Sequence, residues 1–158
     1  RRIGLPVPPG FTITTEACIA FQKGGKFPDG MMDQAMEALK QVEIESGKKF
    51  GDPVNPLLVS VRSGAPISMP GMMDTILNVG LNSDTVKGIV KKSGNRRFAL
   101  DSFRRLKQMF GGVVLSIPHE AFEDAISIIK VQKGKKQDIE LDENDLFELI
   151  EKFDDVYK

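Results

Sequence analysis

The sequence predicts an α+β fold in which a mixed sheet is flanked by helices. A β-branched apolar run at residues 57–61 has the length of a strand that is buried on both faces. Several longer stretches repeat apolar residues every three or four positions, as amphipathic helices do. With 158 residues, 41% of them hydrophobic, the chain can bury one core and forms one domain or part of one.

Charge and cysteine content exclude several classes of protein. The 22 basic and 22 acidic residues cancel, so no overall positive field favours nucleic acid or a membrane surface, and any anion site must be local. Cys18 is the only cysteine, which excludes an internal disulfide and suits a reducing compartment. No apolar run approaches the roughly 20 residues that span a bilayer. We expect neither nucleic acid nor a membrane as a partner.

The first elements follow from glycine, proline and apolar spacing. Residues 11–14 alternate like a short strand, after an extended segment rich in proline. One helix is predicted from Thr15 to the stop at residues 24–25, and a second over residues 29–46, ended by Gly47. The inner face of the second helix is predicted to hold core residues at helical spacing, namely Met32, Met36, Leu39, Val42 and Ile44.

The segment after residue 82 is predicted to begin with two helices. The first covers residues 83–92 and ends at Gly94. The second covers residues 101–110 and ends before Gly111, with its apolar side chains on one face. Residues 113–117 form either a strand or an extension of that helix.

Two more helices complete the chain. One begins at Pro118 and runs through residue 130. The last runs from Asp142 to about Tyr157, with acidic residues in its first turn, where they complement the helix dipole. Their inner faces are predicted to hold Phe122, Ala125, Ile126 and Ile129 in the first, and Leu146, Leu149, Ile150 and Phe153 in the second.

The best candidate site follows the strand at residues 57–61. Arg62 stands at its end, where a guanidinium offers bidentate donors to phosphate or carboxylate oxygens. A strand-end arginine is more often a surface or ion-pair residue, but here the segment SMPGMMDT follows at residues 68–75. Its glycine lets backbone amides approach an anion, and its hydroxyls add donors. The pattern favours a phosphate loop, although it matches neither the Walker motif nor G-x-G-x-x-G.

Other polar residues are weaker candidates. Arg104 and Arg105 are about 100° apart around a helix, so we expect one to point inward and one to be solvated. His119, the sole histidine, has no partner at ligand spacing, which favours a capping or surface role over catalysis. The acidic residues from 140 to 155 spread around their helix and predict an exposed face, so no metal ligand is assigned in this chain.

Several motifs of this chain are specific enough to indicate a family. SVRSGA at residues 60–65 is followed by SMPGMMDTILN at 68–78 and GLN at 80–82, and this combination is similar to the signature of the pyruvate phosphate dikinase family. GLPVPPGFTIT at 4–14 and RFALDSFRR at 97–105 agree in order and spacing. The resemblance covers nearly the whole chain and about a fifth of the parent enzyme.

The resemblance implies a fold, a reaction and site residues. Residues 1–158 would be the N-terminal portion of an ATP-grasp nucleotide-binding domain, which uses ATP and phosphate to load a histidine of a swivelling domain, releasing AMP and pyrophosphate. That histidine then phosphorylates pyruvate at a barrel domain. Arg62 matches the family's phosphate-binding arginine and is implied as catalytic, and Arg105 matches a basic position near the same site. The implied mobile loop over the polyphosphate comprises Gly71, Met72, Met73, Asp74 and Thr75.

The resemblance also implies partners and leaves alternatives. Mg²⁺ would act with ATP, with its ligands outside this chain, and the parent enzyme would be a homodimer in the cytoplasm, a plastid or a glycosome. The family's lysine segment GGKGAN would precede Arg1, and the acceptor histidine is missing, so the fragment alone should be inactive. The alternatives are a phosphoenolpyruvate synthase or water dikinase ATP-binding domain, which shares the arginine turn, and a non-catalytic nucleotide-binding module.

Overall fold

The structure, a computed structural model, describes residues 6–64 and 74–158. Its first two helices are α1 (Thr15–Gly24) and α2 (Met31–Ser46). Each ends where a glycine, Gly25 or Gly47, adopts the left-handed conformation and donates its N–H back to the helix. The predicted ends of both helices are therefore confirmed. Residues 11–14, predicted as a strand, are irregular and exposed, because no described strand pairs with them.

The predicted inner face of α2 is wrong in part. Val42 is buried and Leu39 is half-buried, but Met32, Met36 and Ile44 are exposed. At the C-terminal end of α2, Glu43 Oε1 accepts the N–H of Phe50 at 2.8 Å. Nearer its N-terminal end, α2 lines a cavity with residues 11–14, but Met32 and Met36 are not part of that lining. The face of α2 that carries Met32 and Met36, its methionine face, is therefore largely uncovered by the described chain.

The strands form two separate two-stranded sheets. Strand β1 (Lys49–Phe50) pairs in parallel with β2 (Pro56–Leu57), and β3 (Val59–Arg62) pairs antiparallel with β4 (Thr75–Val79). The α+β class is confirmed, but the described strands form one parallel and one antiparallel sheet instead of a single mixed sheet.

The prediction of one strand at residues 57–61, buried on both faces, is wrong. The run is divided at Leu58, because Leu57 belongs to one ladder and Val59 to the other. Leu57 is buried, whereas the next strand is largely exposed, with Val61 at 51%. The helix contacts of the β3–β4 hairpin are made mainly by β4, so β3 is left with little cover.

Helices α3 (Thr85–Ser93) and α4 (Arg96–Val113) follow, and α4 is longer than predicted. It begins earlier because the side chain of Asn95 caps it, accepting the N–H of Phe98 at 2.9 Å. It continues through Gly111, where an added Cβ would lie 2.4 Å from Phe122 Cζ and 2.8 Å from Tyr157 Cε1. That glycine marks a close helix contact and does not stop the helix.

The core lies between α4, α5 (His119–Lys133) and α6 (Glu143–Val156), with β4 packed on α4. Asp142 caps α6 by accepting the N–H groups of Asn144 and Asp145. The predicted inner faces of α5 and α6 are confirmed, since all eight of their named apolar residues are buried. Phe122 and Phe153 meet edge to face, with ring centroids 5.0 Å apart. None of the described helices combines the length and apolar character that a bilayer crossing requires.

Candidate functional site

The β3–β4 hairpin brings Arg62 directly opposite Thr75. One residue further along, the N–H of Ser63 donates to the carbonyl of Asp74 at 3.0 Å. Antiparallel pairs alternate between hydrogen-bonded and non-hydrogen-bonded types, so Arg62 and Thr75 form a non-hydrogen-bonded pair. In such pairs the two Cβ atoms are about 5 Å apart. The two side chains therefore leave the sheet side by side.

A β-bulge in the hairpin sets which side chains face the core. Val61 pairs with Ile76 and Val59 pairs with Val79, so Leu77 and Asn78 together oppose the single Ser60. Ile76 is buried and Val79 packs against the same core. Because alternate residues of a strand point to opposite faces, Thr75 points away from the helices, and its partner Arg62 does too.

This outward face carries hydrogen-bond donors of the kind that anion sites use. Arg62 and Asp74 are exposed and Thr75 is half-buried, so a guanidinium and a hydroxyl can reach the same ligand from neighbouring positions. The carbonyl of Asp74 is occupied by Ser63, whose hydroxyl also lies 3.3 Å from it. Gly71, Met72 and Met73 lie outside the described residues, so their predicted place in a phosphate loop stays a prediction.

The arginine pair on α4 divides as expected, with one inward and one solvated. Arg104 is 4% exposed, and its guanidinium donates to Asp101 Oδ1 at 3.0 and 2.8 Å and to Gln108 Oε1 at 3.0 Å. The Arg105 side chain is 63% exposed and donates to Asp101 Oδ2 at 2.9 Å. Within the described residues no hydrogen bond or ion pair joins Arg105 to the hairpin. Its predicted role beside Arg62 is therefore untested.

His119 lies on the surface at the start of α5. Its side chain is 72% exposed, and Nε2 is 3.6 Å from Glu123 Oε1. The surface position expected for this histidine is confirmed. Across residues 6–64 and 74–158, no group of three or more histidine, cysteine or acidic side chains could hold a metal ion.

The sequence interpretation missed the structural roles of two residues. Asp101 binds both arginines of α4, and the spacing of Asp101 to Arg104 and Arg105 is the i,i+3 and i,i+4 pattern of helical ion pairs. That pattern was sufficient to find it. Asn78 has a backbone φ of 60°, inside the bulge. Asparagine is one of the few residues that tolerate this conformation, but its position inside an apolar run hid the signal.

Comparison with known proteins gives relatives over nearly the whole chain, although no family model matches it. The pyruvate, phosphate dikinase of Clostridium symbiosum is 54% identical over 157 residues, which cover 99% of this chain and 18% of that protein. That of Giardia intestinalis is 52% identical over 152 residues, covering 96% and 17%. The chain is homologous to pyruvate, phosphate dikinases. The resemblance inferred from the motifs is thus confirmed.

A plant relative extends the comparison. Pyruvate, phosphate dikinase 1 of Arabidopsis thaliana, named as chloroplastic, is 53% identical over 156 residues, covering 98% of this chain and 16% of that protein. The chain therefore spans about a sixth of the length of these pyruvate, phosphate dikinases. The candidate hairpin lies within the part of the chain that they share.

Proposed function

We propose that this chain is the ATP-binding part of a pyruvate phosphate dikinase. The main support is the outward face shared by Arg62 and Thr75, in a chain that is 52–54% identical to proteins of that name. A face with a guanidinium and a hydroxyl side by side suits phosphate oxygens, because both groups donate hydrogen bonds and one carries a fixed positive charge.

The proposed reaction converts ATP, phosphate and pyruvate into AMP, pyrophosphate and phosphoenolpyruvate. A histidine of a separate swivelling domain attacks ATP and takes its two terminal phosphoryl groups, so AMP leaves. Phosphate then takes the outer phosphoryl group and leaves as pyrophosphate, and the remaining phosphohistidine phosphorylates pyruvate. Charge accumulates on the transferring oxygens, and Arg62 stabilises it with donors held in a fixed plane.

The remaining parts of the proposal concern fold, metal and assembly. The chain would be the N-terminal portion of an ATP-grasp domain in a homodimeric enzyme, in the cytoplasm or in an organelle such as a plastid or glycosome. Mg²⁺ would accompany ATP and supply positive charge at the phosphates. The described residues contain no carboxylate cluster that fits it, so we assign it no ligand here and derive no step through it.

The requirement for phosphate tests this proposal against the water dikinase alternative. The full-length protein that carries this chain is incubated with Mg²⁺ and ATP, with and without phosphate, and AMP and pyrophosphate are measured without pyruvate. We expect pyrophosphate to form only when phosphate is added, together with a phosphohistidine on the protein. Formation of the phosphohistidine with no phosphate requirement and no pyrophosphate would contradict the proposal and favour a water dikinase.

A further inference from the structure

The β-bulge of the β3–β4 hairpin decides which way Thr75 points. Ile76 and Val79 both face the core although they are three residues apart, and a regular strand cannot place such residues on one face. The extra residue of the bulge, opposite Ser60, makes this possible. A regular ladder that kept Val59 opposite Val79 would turn Ile76 outward and Thr75 inward. It would also pair Arg62 with Ile76 instead of Thr75.

Asn78 is the residue of the bulge whose conformation is unusual. Its φ of 60° lies in the left-handed region, which asparagine and glycine enter readily and β-branched residues do not. Its carbonyl accepts the N–H of Leu81 at 3.1 Å, so the turn that leaves the strand depends on the same conformation. A bulge that needs a left-handed residue is stable only where the sequence supplies one.

We infer that Asn78 is a positioning residue, which fixes the hairpin register and so holds Arg62 and Thr75 on one outward face. Its effect on ATP chemistry rests on the function proposed above. The effect on register does not, because it follows from strand pairing alone. Asn78 acts through its backbone conformation, so glycine can replace it and a β-branched residue cannot.

The register is tested by disulfide trapping in the full-length protein. Arg62 and Thr75 are both replaced by cysteine in a Cys18→Ser background, since Cys18 is exposed, and the 62–75 disulfide is measured by mass spectrometry after mild oxidation. A non-hydrogen-bonded antiparallel pair has Cα atoms about 4.5 Å apart, within the range that a disulfide spans. Asn78→Gly should retain the disulfide, whereas Asn78→Val should lower its yield about ten-fold, the typical penalty for such a backbone conformation.

The consequence for the reaction is tested with Arg62 and Thr75 intact. Asn78→Val should slow the ATP half-reaction on the order of 10²-fold, because small displacements of a catalytic group are costly, while Asn78→Gly should stay close to wild type. Asn78→Ala should give an intermediate rate of the ATP half-reaction. It is used in place of Asn78→Val if that variant does not fold. The control is Ser116→Val, since Ser116 has a φ of 56° in the exposed segment between α4 and α5 and belongs to neither strand of the hairpin. It should disturb neither the disulfide nor the half-reaction.

Two results would overturn the assignment of the hairpin register to Asn78, and a third would overturn its consequence for the reaction. A 62–75 disulfide that forms equally well in Asn78→Val would show that the bulge does not need a left-handed residue. Equal losses in Asn78→Gly and Asn78→Val would assign the effect to the asparagine side chain. A disulfide lost in Asn78→Val with the ATP half-reaction unchanged would leave the register effect intact but remove Asn78 from the reaction. Failure of the proposed function, seen as no ATP cleavage in the wild-type protein, leaves the disulfide experiment still decisive for the register.

Discussion

Arg104 and Arg62 carry the same charge, but their surroundings give them different roles. Arg104 is buried, and its guanidinium is engaged by Asp101 and Gln108 on its own helix. Arg62 is exposed beside Thr75. An arginine whose donors are already occupied cannot also bind a ligand without breaking those bonds. Among these two, Arg62 is the residue available to an incoming phosphate.

Asp101→Ala tests the structural role of the arginine pair. The substitution leaves the buried charge of Arg104 without its carboxylate, and breaking such a pair typically costs about 3 kcal/mol. We predict a loss of that order in the free energy of opening of α4, measured by amide hydrogen exchange. Asp84→Ala is the control, because Asp84 forms an exposed ion pair with Lys87 whose removal should cost less than about 1 kcal/mol. Equal effects of the two substitutions would contradict this account.

Helix α4 shows, at the scale of an element, how one glycine can support a helix contact. Gly111 lies against Phe122 and Tyr157, so Gly111→Ala should destabilise the packing of α4 by about 1–3 kcal/mol through overpacking. Gly112 has open space around it, so Gly112→Ala should instead stabilise the helix by up to about 1 kcal/mol. Thermal unfolding of the two variants should give melting temperatures displaced in opposite directions. Destabilisation by Gly112→Ala alone would contradict the assignment.

The start of α6 gives a prediction about pH. The backbone N–H of Asp145, and then that of Asn144, hold the pKa of Asp142 below its usual value of 3.8. A carboxyl whose pKa is lower in the folded state than in the unfolded state stabilises the folded state at pH values above its unfolded-state pKa. This stabilisation is lost as the pH falls through the folded-state pKa. Amide hydrogen-exchange protection at the N-terminus of α6 should therefore decrease when the pH is lowered below about 4. Asp142→Asn keeps an acceptor that does not titrate, and an unchanged pH dependence in that variant would contradict this cause.

Sequence patterns predicted best those elements whose structure depends on residues close to them in the sequence. The caps and apolar spacing of α5 and α6 are local, and their inner faces were predicted correctly. The division of the run at residues 57–61 depends on two different partner strands. The close packing at Gly111 depends on Phe122 of α5 and on Tyr157, which follows α6. At the site, Arg62 and Thr75 follow from their motifs, but the bulge that aligns them appears only in the paired register. Non-local pairing of this kind leaves little trace in a single sequence.

The whole molecule has an uneven distribution of buried apolar residues. Within the described chain, every member of the main core lies between Ile76 and Phe153, whereas α1 and α2 together contain one buried residue, Val42. Stability within a protein follows the local density of buried apolar contacts, and segments with few of them open most readily. The two N-terminal helices should therefore open before the α4–α6 core.

Limited proteolysis of the isolated 158-residue chain tests this difference. We predict that the first cleavages fall between residues 15 and 47, and that the peptide containing α4, α5 and α6 persists. In the full-length protein α1 and α2 should be protected from cleavage if further residues cover the exposed methionine face of α2. First cleavage within α4–α6 of the isolated chain would contradict the proposed distribution of stability.

The proposal as a whole depends on separate sites for two half-reactions. If Arg62 binds transferring phosphoryl oxygens, Arg62→Lys keeps the charge but loses the planar fork, so the ATP half-reaction should already be severely slowed. Arg62→Ala should be slower still, on the order of 10²-fold or more below wild type, by analogy with loss of an oxyanion donor. An arginine needed only for folding would lower both half-reactions together.

The most direct test is therefore the ratio of the two half-reactions in purified, folded Arg62→Ala. The control is Arg96→Ala, since Arg96 is exposed and its side chain lies 3.5 Å from Glu143 in a surface ion pair. We predict that Arg62→Ala loses the ATP half-reaction while the pyruvate half-reaction stays within about three-fold of wild type, and that Arg96→Ala changes neither. Equal losses in both half-reactions of Arg62→Ala, or a normal ATP half-reaction, would contradict the assignment of this hairpin to ATP.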